Sequence, residues 1–250
     1  MELQQDGLRF FSVDEEELEK QPVTIDWDAN AAEKAGYEHF MLKEIYEQPK
    51  TINDTISPRI KDNDIVIEEL NMSDEEIKEI TKIHIVACGS AYHTGVTAKY
   101  VIEGLARIPV EVDVASEFRY RDPILQKGNM VIVISQSGET ADTLAALRES
   151  KEKGFKVLGI VNVVGSSIAR EADSVMYTWA GPEIAVATTK AYSAQLTALY
   201  MLAMKFARVR GTIDQEKFAG MLTDLRCLPD QIELLLGQKE KIQHLSLIHI

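Results

Sequence analysis

The stretch Ser135-Gln136-Ser137-Gly138-Glu139-Thr140 gathers three hydroxyls, a carboxamide and a glycine into six residues. Hydroxyls and amides donate hydrogen bonds without carrying charge, and a cluster of them suits a bound phosphate. Ahead of it, Met130 to Ile134 are five consecutive apolar residues. That run is too short for a helix and rich in β-branched side chains, so it predicts a buried parallel strand. Behind it, Ala141 to Lys153 carries a helical pattern through Leu144, Leu147 and the alanines between. A helix start offers free N–H groups and a partial positive charge, both of which attract an anion. Gly138 lets the backbone approach that anion without a Cβ in the way. The competing explanation is helix capping, since Ser and Thr commonly open helices. One helix needs one cap, however, and this loop brings three hydroxyls. It holds no Lys or Arg, so it matches neither the nucleotide loop G-x-x-x-x-G-K-[ST] nor the dinucleotide loop G-x-G-x-x-G. An uncharged cage of this kind fits a single phosphate on a small sugar.

Other segments must hold this loop in place. Ile83 to Ala87 predicts a strand, and Cys88-Gly89-Ser90-Ala91 a tight turn into a helix from Tyr92 to Leu105. This second strand–loop–helix can supply another wall of the same site. Cys88 there is expected to be a small buried residue rather than a nucleophile. His84 is expected at a satisfied strand position, and His93 on an exposed first turn. Val110 to Val114 follows Pro109 and alternates, as an edge strand does. Residues 116–123, SEFRYRDP, predict a polar loop that either borders the pocket or is plain surface. Further strands are expected at Val157 to Val163 and Val175 to Trp179, with a short helix from Ser166 to about Ala172 between them. A long helix over 188–209 buries Leu196, Leu199, Tyr200, Leu202, Ala203 and Phe206, and Gly211 ends it. Strands alternating with helices from 83 to 209 predict a parallel α/β fold of three layers.

The flanks are less informative. Residues 1–30 hold short strand-like pieces, Leu8 to Phe11 and Val23 to Trp27, around an acidic stretch. Asn30 and Pro49 bracket one predicted helix. Residues 50–70 are mixed and polar, and Ser73 with Glu76 forms a capping box. Residues 212–244 look helical, with Pro229 as a break. The final six residues, LSLIHI, match the translation of a transposon-type sequencing adaptor, so 245–250 are expected to be non-native and 244 a truncation point.

Composition narrows the function classes. The 250 residues are 45% hydrophobic and 27% charged, enough for one large domain with extensions. A net charge of −13 disfavours nucleic acid. No apolar run approaches the ~20 residues of a membrane span, and the polar start is unlike a signal peptide. The two cysteines, Cys88 and Cys227, lack metal-ligand spacing. A cytoplasmic protein without metal or cofactor is expected.

The segments ACGSAYHTG, ASEFRYR, ISQSGETADTL, VNVVGSSIARE and GPEIAVATTKAYSAQL resemble the first sugar-isomerase (SIS) domain of the glutamine–fructose-6-phosphate aminotransferases. GYEHFMLKEIYEQP resembles the segment joining that family's glutaminase and isomerase domains, and GLRFFS its last glutaminase strand. The resemblance runs from about residue 7 to 244. It implies a flavodoxin-like or Rossmann-like SIS fold with an N-terminal extension. Residues 1–30 would be a glutaminase remnant, 31–80 linker helices, 81–211 the SIS domain, and 212–244 a connector to a second SIS domain. It further implies binding of fructose 6-phosphate or glucosamine 6-phosphate for hexosamine biosynthesis, and a homodimer, which exposed apolar residues on the 188–209 helix would fit. By motif, the phosphate contacts fall on Ser135, Gln136, Ser137 and Thr140, with Ser90 on the neighbouring turn; sugar contacts fall on Val186 and Thr188. Ala91 stands where the family often carries serine, so one hydroxyl is lost or supplied elsewhere. The family's catalytic residues match nothing in this chain, so the fragment is expected to be inactive alone. Glu139, Glu183 and Lys190 match structural positions; Lys190 suits a helix start poorly, which leaves a pocket or interface role as its alternative. A regulatory or stand-alone SIS protein is the alternative.

Overall fold

The computed structural model describes residues 2–4, 7–19 and 33–247. The predicted strand at Val23 to Trp27 and the cap at Asn30 lie outside these residues. Near the N-terminus, β1 (Glu2–Gln4), β2 (Gly7–Phe11) and β3 (Glu17–Leu18) form a small antiparallel sheet in that order. The single helix expected before Pro49 is instead two, α1 (Phe40–Tyr46) and α2 (Gln48–Ile56). Pro49 sits in the first turn of α2. Its missing N–H costs nothing there, so it starts a helix rather than stopping one. A two-stranded hairpin of β4 (Ile60–Lys61) and β5 (Asp64–Ile65) follows, then α3 (Asp74–Glu79). Both halves of the expected capping box are made: Glu76 N donates to Ser73 Oγ at 3.2 Å and Ser73 N to Glu76 Oε2 at 2.8 Å.

The main sheet then begins. Its parts in chain order are β6 (Lys82–Ala87), α4 (Ser90–Leu105), β7 (Val110–Val114), α5 (Ala115–Tyr120), β8 (Asn129–Ser135), α6 (Ala141–Glu152), β9 (Lys156–Val161), α7 (Ser167–Glu171), β10 (Ser174–Tyr177) and α8 (Lys190–Arg210). All five strands are parallel, in the order β7-β6-β8-β9-β10. Counted from the first strand of the sheet this is 2-1-3-4-5, the flavodoxin-like order, whose switch point lies between β6 and β8. Connections there leave in opposite directions, so a crevice opens at the carboxyl ends of those two strands.

Strand alternation sorts the apolar side chains between two helical layers. Ile83 and Ile85 of β6, Ile132 and Ile134 of β8, and Leu158 and Ile160 of β9 face a large core that includes α2, α4, α8 and α9 (Gln215–Leu236). Val86, Val131, Val133, Val157 and Val161 face a smaller core under α5, α6 and α7. Helix α4 lies close against the sheet because Gly95 has no Cβ; one added there would stand 2.8 Å from Ile85 Cγ2.

Three further expectations are corrected. Residues 115–120 are helical, because Ala115 and Phe118, one turn apart, are both fully buried. Helix α9 runs through Pro229 without a break and is followed by α10 (Lys239–Leu247). Finally, α8 is buried within the protein and offers no exposed large apolar side chain for a dimer; Leu234, Leu235, Ile242 and Leu245 of α9 and α10 are exposed instead. Among the described residues, no helix is long and apolar enough to cross a membrane.

Candidate functional site

A cavity of about 280 Å³ opens at the switch point. Of the residues predicted for the site, Ser90, Ser135, Gln136, Ser137, Thr140, Val186 and Thr188 all line it. Ser90 opens α4, immediately after β6, and Thr140 stands at the N-cap of α6, immediately after the β8 loop. Two helix starts therefore face one space. No Lys or Arg is among the lining residues.

The hydroxyls of the loop are organised among themselves. Ser135 is 3% exposed, and its Oγ accepts from Gly138 N at 3.0 Å and lies 2.9 Å from Thr140 Oγ1. Ser137 Oγ accepts from Glu139 N at 3.2 Å. Thr140 occupies the capping position yet makes no side-chain cap to α6, and Gly89, at the equivalent position of α4, has no side chain to cap with. Capping alone therefore fails to explain the hydroxyls, and the first N–H groups of both helices are left to other partners.

The neighbouring turn holds this loop from behind. Asn162 N donates to Gln136 O at 3.1 Å, and Ile168 N to Gly138 O at 3.0 Å. Ser167 N donates to Glu139 Oε1 at 2.7 Å. Hydrogen bonds from Ser167 hold the Glu139 carboxyl below its ordinary range, so it stays ionised and turned toward α7. Gly138 has φ +67°, and Ser166 lies directly beneath it.

The opposite wall is the irregular stretch 178–189 between β10 and α8. Glu183, Ala185, Val186 and Thr188 of this stretch line the cavity. Glu183 is structural: its carboxylate accepts from Thr188 Oγ1 at 2.9 Å, Thr189 N at 2.9 Å and Ala191 N at 3.2 Å, closing the start of α8. Lys190 is 3% exposed and pairs with Glu47 Oε2 at 2.7 Å, so it serves the contact with the α1–α2 corner and does not line the cavity.

Besides Ile134, Glu183 and Ala185, which also line the cavity, four lining or supporting residues outside the predicted set bear on its chemistry. Cys88 is half-buried at the cavity and receives Thr143 Oγ1 at 3.8 Å. Ala91 lines it without a hydroxyl, as its sequence position implied. Gln195, 3% exposed on α8, adds a carboxamide; a lone glutamine on the buried face of an apolar helix was the available signal. Glu44 of α1 supports the far wall and is taken up below. Elsewhere, His84, Glu111 and Asp113 converge at the sheet edge, but Lys82 and Arg121 pair with the two carboxylates.

An open parallel sheet in 2-1-3-4-5 order, with a hydroxyl-lined cavity at its switch point, defines the class. The sequence matches the SIS domain family over residues 76–205, just over half of the chain, and the chain belongs to that family. Curated relatives of this chain at 48–57% identity are named glutamine–fructose-6-phosphate aminotransferase [isomerizing]. It is 57% identical over 242 residues to the glutamine–fructose-6-phosphate aminotransferase [isomerizing] of Clostridium acetobutylicum, covering 96% of this chain and 40% of that one. Against the same enzyme of Caldanaerobacter subterraneus subsp. tengcongensis it is 55% identical over 248 residues, 99% of this chain and 41% of that one. The chain thus spans about two fifths of the length of these relatives. Among solved structures, the C-terminal domain of glucosamine-fructose-6-phosphate aminotransferase from Francisella tularensis superposes with a TM-score of 0.81 at 40% identity, over 86% of this chain and 60% of that one. Glucosamine-6-phosphate deaminase from Thermotoga maritima shares the fold, with a TM-score of 0.59 at 23% identity over 77% of this chain and 54% of that one.

Proposed function

We propose that the chain binds a hexose 6-phosphate, fructose 6-phosphate or glucosamine 6-phosphate, as the substrate-holding part of a glutamine–fructose-6-phosphate aminotransferase of hexosamine biosynthesis. One observation carries this reading. Two helix starts without side-chain caps and a ring of hydroxyls converge on one cavity that no cation enters. In this reading Ser90, Gln136, Ser137 and Thr140 take the phosphate, Ser135 orders the loop behind them, and Val186 and Thr188 meet the sugar. Residues 1–30 are a glutaminase remnant, 31–80 the linker, 81–211 the binding domain and 212–244 a connector onward. The protein works in the cytoplasm as a homodimer. It does not turn over by itself. Moving a proton between C1 and C2 of the sugar needs a base held near both carbons. Glu183, the one carboxylate lining the cavity among the described residues, is committed to the start of α8.

Calorimetric titration with fructose 6-phosphate tests this. A hydrogen bond to a charged group is worth about 1.5–3 kcal/mol, so Ser137→Ala and Thr140→Ala should each weaken binding roughly ten- to a hundred-fold. A double variant that binds as tightly as the wild type rules out the cradle. Ammonia-dependent formation of glucosamine 6-phosphate by this chain alone rules out the claim of incompleteness.

A further inference from the structure

The far wall of the cavity has no ladder or helix of its own, so its shape depends on side chains that take up its backbone groups. At its base, Asn162 accepts from Ala180 N at 2.8 Å and donates to Gly181 O at 2.7 Å. At its end, Glu183 ties Thr188 and Thr189 to α8. The middle is held from a distant part of the chain. Glu44, 1% exposed on α1, accepts from Ile184 N at 2.6 Å and from Ala185 N at 3.1 Å through one oxygen, Oε1. Its other oxygen, Oε2, is buried without a hydrogen-bond partner. The same corner makes two more contacts just beyond. Glu47 pairs with Lys190, and Gln48 Oε1 accepts from Ser193 Oγ at 2.5 Å.

A buried carboxylate is costly to keep unless its bonds are strong. Charge-assisted bonds from two successive N–H groups are of that kind, and they fix the backbone immediately before Val186. An apolar residue would fill the same space without directing either amide. We infer that Glu44 is a positioning residue for the sugar-binding wall, and that the α1–α2 corner acts as a clamp setting the distance between that wall and the phosphate cradle. This rests on the phosphosugar reading of the cavity.

The clamp touches one wall only, and that sets the test. In the full 250-residue chain, Glu44→Ala should speed amide hydrogen exchange in the 182–189 segment while leaving 135–146 unchanged. Its dissociation constant for fructose 6-phosphate should rise about tenfold or more, and that for inorganic phosphate should stay within about twofold, since the cradle lies apart from the released bonds. Glu44→Gln keeps one acceptor oxygen and the side-chain volume, so it should recover part of the loss; it carries the same comparison if the alanine variant does not fold. Unchanged exchange in 182–189 overturns the clamp. So does an equal loss of affinity for phosphate and sugar phosphate, which marks general destabilisation. If the wild type binds neither ligand, the binding proposal fails, and the exchange data still decide whether Glu44 orders the wall.

Discussion

Gly138→Ala is the most informative single change in the cradle, because its cost divides into two parts that can be separated. The first is conformational. At φ +67° an L-residue with a Cβ is strained by about 1–2 kcal/mol. The second is steric. The new Cβ would stand 2.5 Å from Ser166 Cβ and closer still to Ser166 Oγ, so the loop or the turn beneath it must move. Overpacking of this kind costs about 1–3 kcal/mol. The sum is roughly 2–5 kcal/mol, or on the order of 10 °C in Tm for a chain of this size. Ser166→Gly removes both offending atoms and loses little itself, since the Ser166 hydroxyl is buried with no partner and makes no side-chain cap to α7. The double variant should therefore recover the steric part and retain the conformational part. Thermal and chemical unfolding of the wild type, both single variants and the double variant measure this cycle. If Gly138→Ala costs under 1 kcal/mol, or Ser166→Gly restores nothing, the placement of the loop against α7 is wrong.

Two further outcomes concern stability away from the cavity. Burial, aided by the Lys82 ammonium and opposed by Glu111, Asp113 and the Asn129 hydrogen bond, holds the His84 imidazole below its ordinary value. The unfolded chain then takes up a proton on His84 before the folded one does. Stability from this group is complete above about pH 6.5 and falls as pH drops from there toward the folded value. In His84→Asn this part of the slope between about pH 7 and 5 should vanish; an unchanged slope excludes His84 as its source. Arg59, 1% exposed, donates to Thr55 O at 2.8 Å, Tyr177 O at 2.7 Å and Glu69 Oε1 at 2.7 Å. Arg59→Met leaves two carbonyls unpaired, at about 1–3 kcal/mol each; a loss below 1 kcal/mol in urea unfolding would show that water replaces the guanidinium.

The cradle was legible in the sequence because its information is local. A β-branched run fixes β8, the helical pattern read through Leu144, Leu147 and the alanines fixes α6, whose buried face is Thr143, Ala146, Leu147 and Ser150, and the hydroxyls lie in the six residues between. Elements whose identity depends on one or two contacts were not legible. Helix α5 rests on Ala115 and Phe118 alone, too few positions for a period to show. Proline was misjudged in both places where it mattered. Pro49 lies in a first turn, where it fits, and Pro229 lies in a helix whose preceding turns are anchored by Phe218, Leu222 and Leu225. Residues 50–70 looked polar because Ile52, Ile56, Ile65, Ile67 and Leu70 are spread among charged neighbours, yet all five reach the large core. The Glu44 contact joins positions 140 apart in sequence, and no pattern at either end announces it.

On the proposed function, the two walls of the cavity divide the labour of recognition in a way the charge of the chain makes sensible. A protein of net charge −13 repels a phosphate at long range, and a lysine in the cradle would be the simplest remedy. The cradle instead relies on N–H groups and hydroxyls, whose attraction acts at contact distance and is little screened by salt. Such a site grips any phosphate of the right size and says little about what it is attached to. On the proposed function, selectivity among sugar phosphates falls to the other wall, where the 183–188 stretch is built from an exposed Val186, a hydroxyl at Thr188 and backbone groups fixed by Glu44 and Glu183. Because the loop after β8 and the wall held by Glu44 come from parts of the chain some ninety positions apart, the proposed clamp would set the width of the cavity through the α1–α2 corner. A site assembled this way distinguishes ligands by a spacing that no single segment of the chain determines.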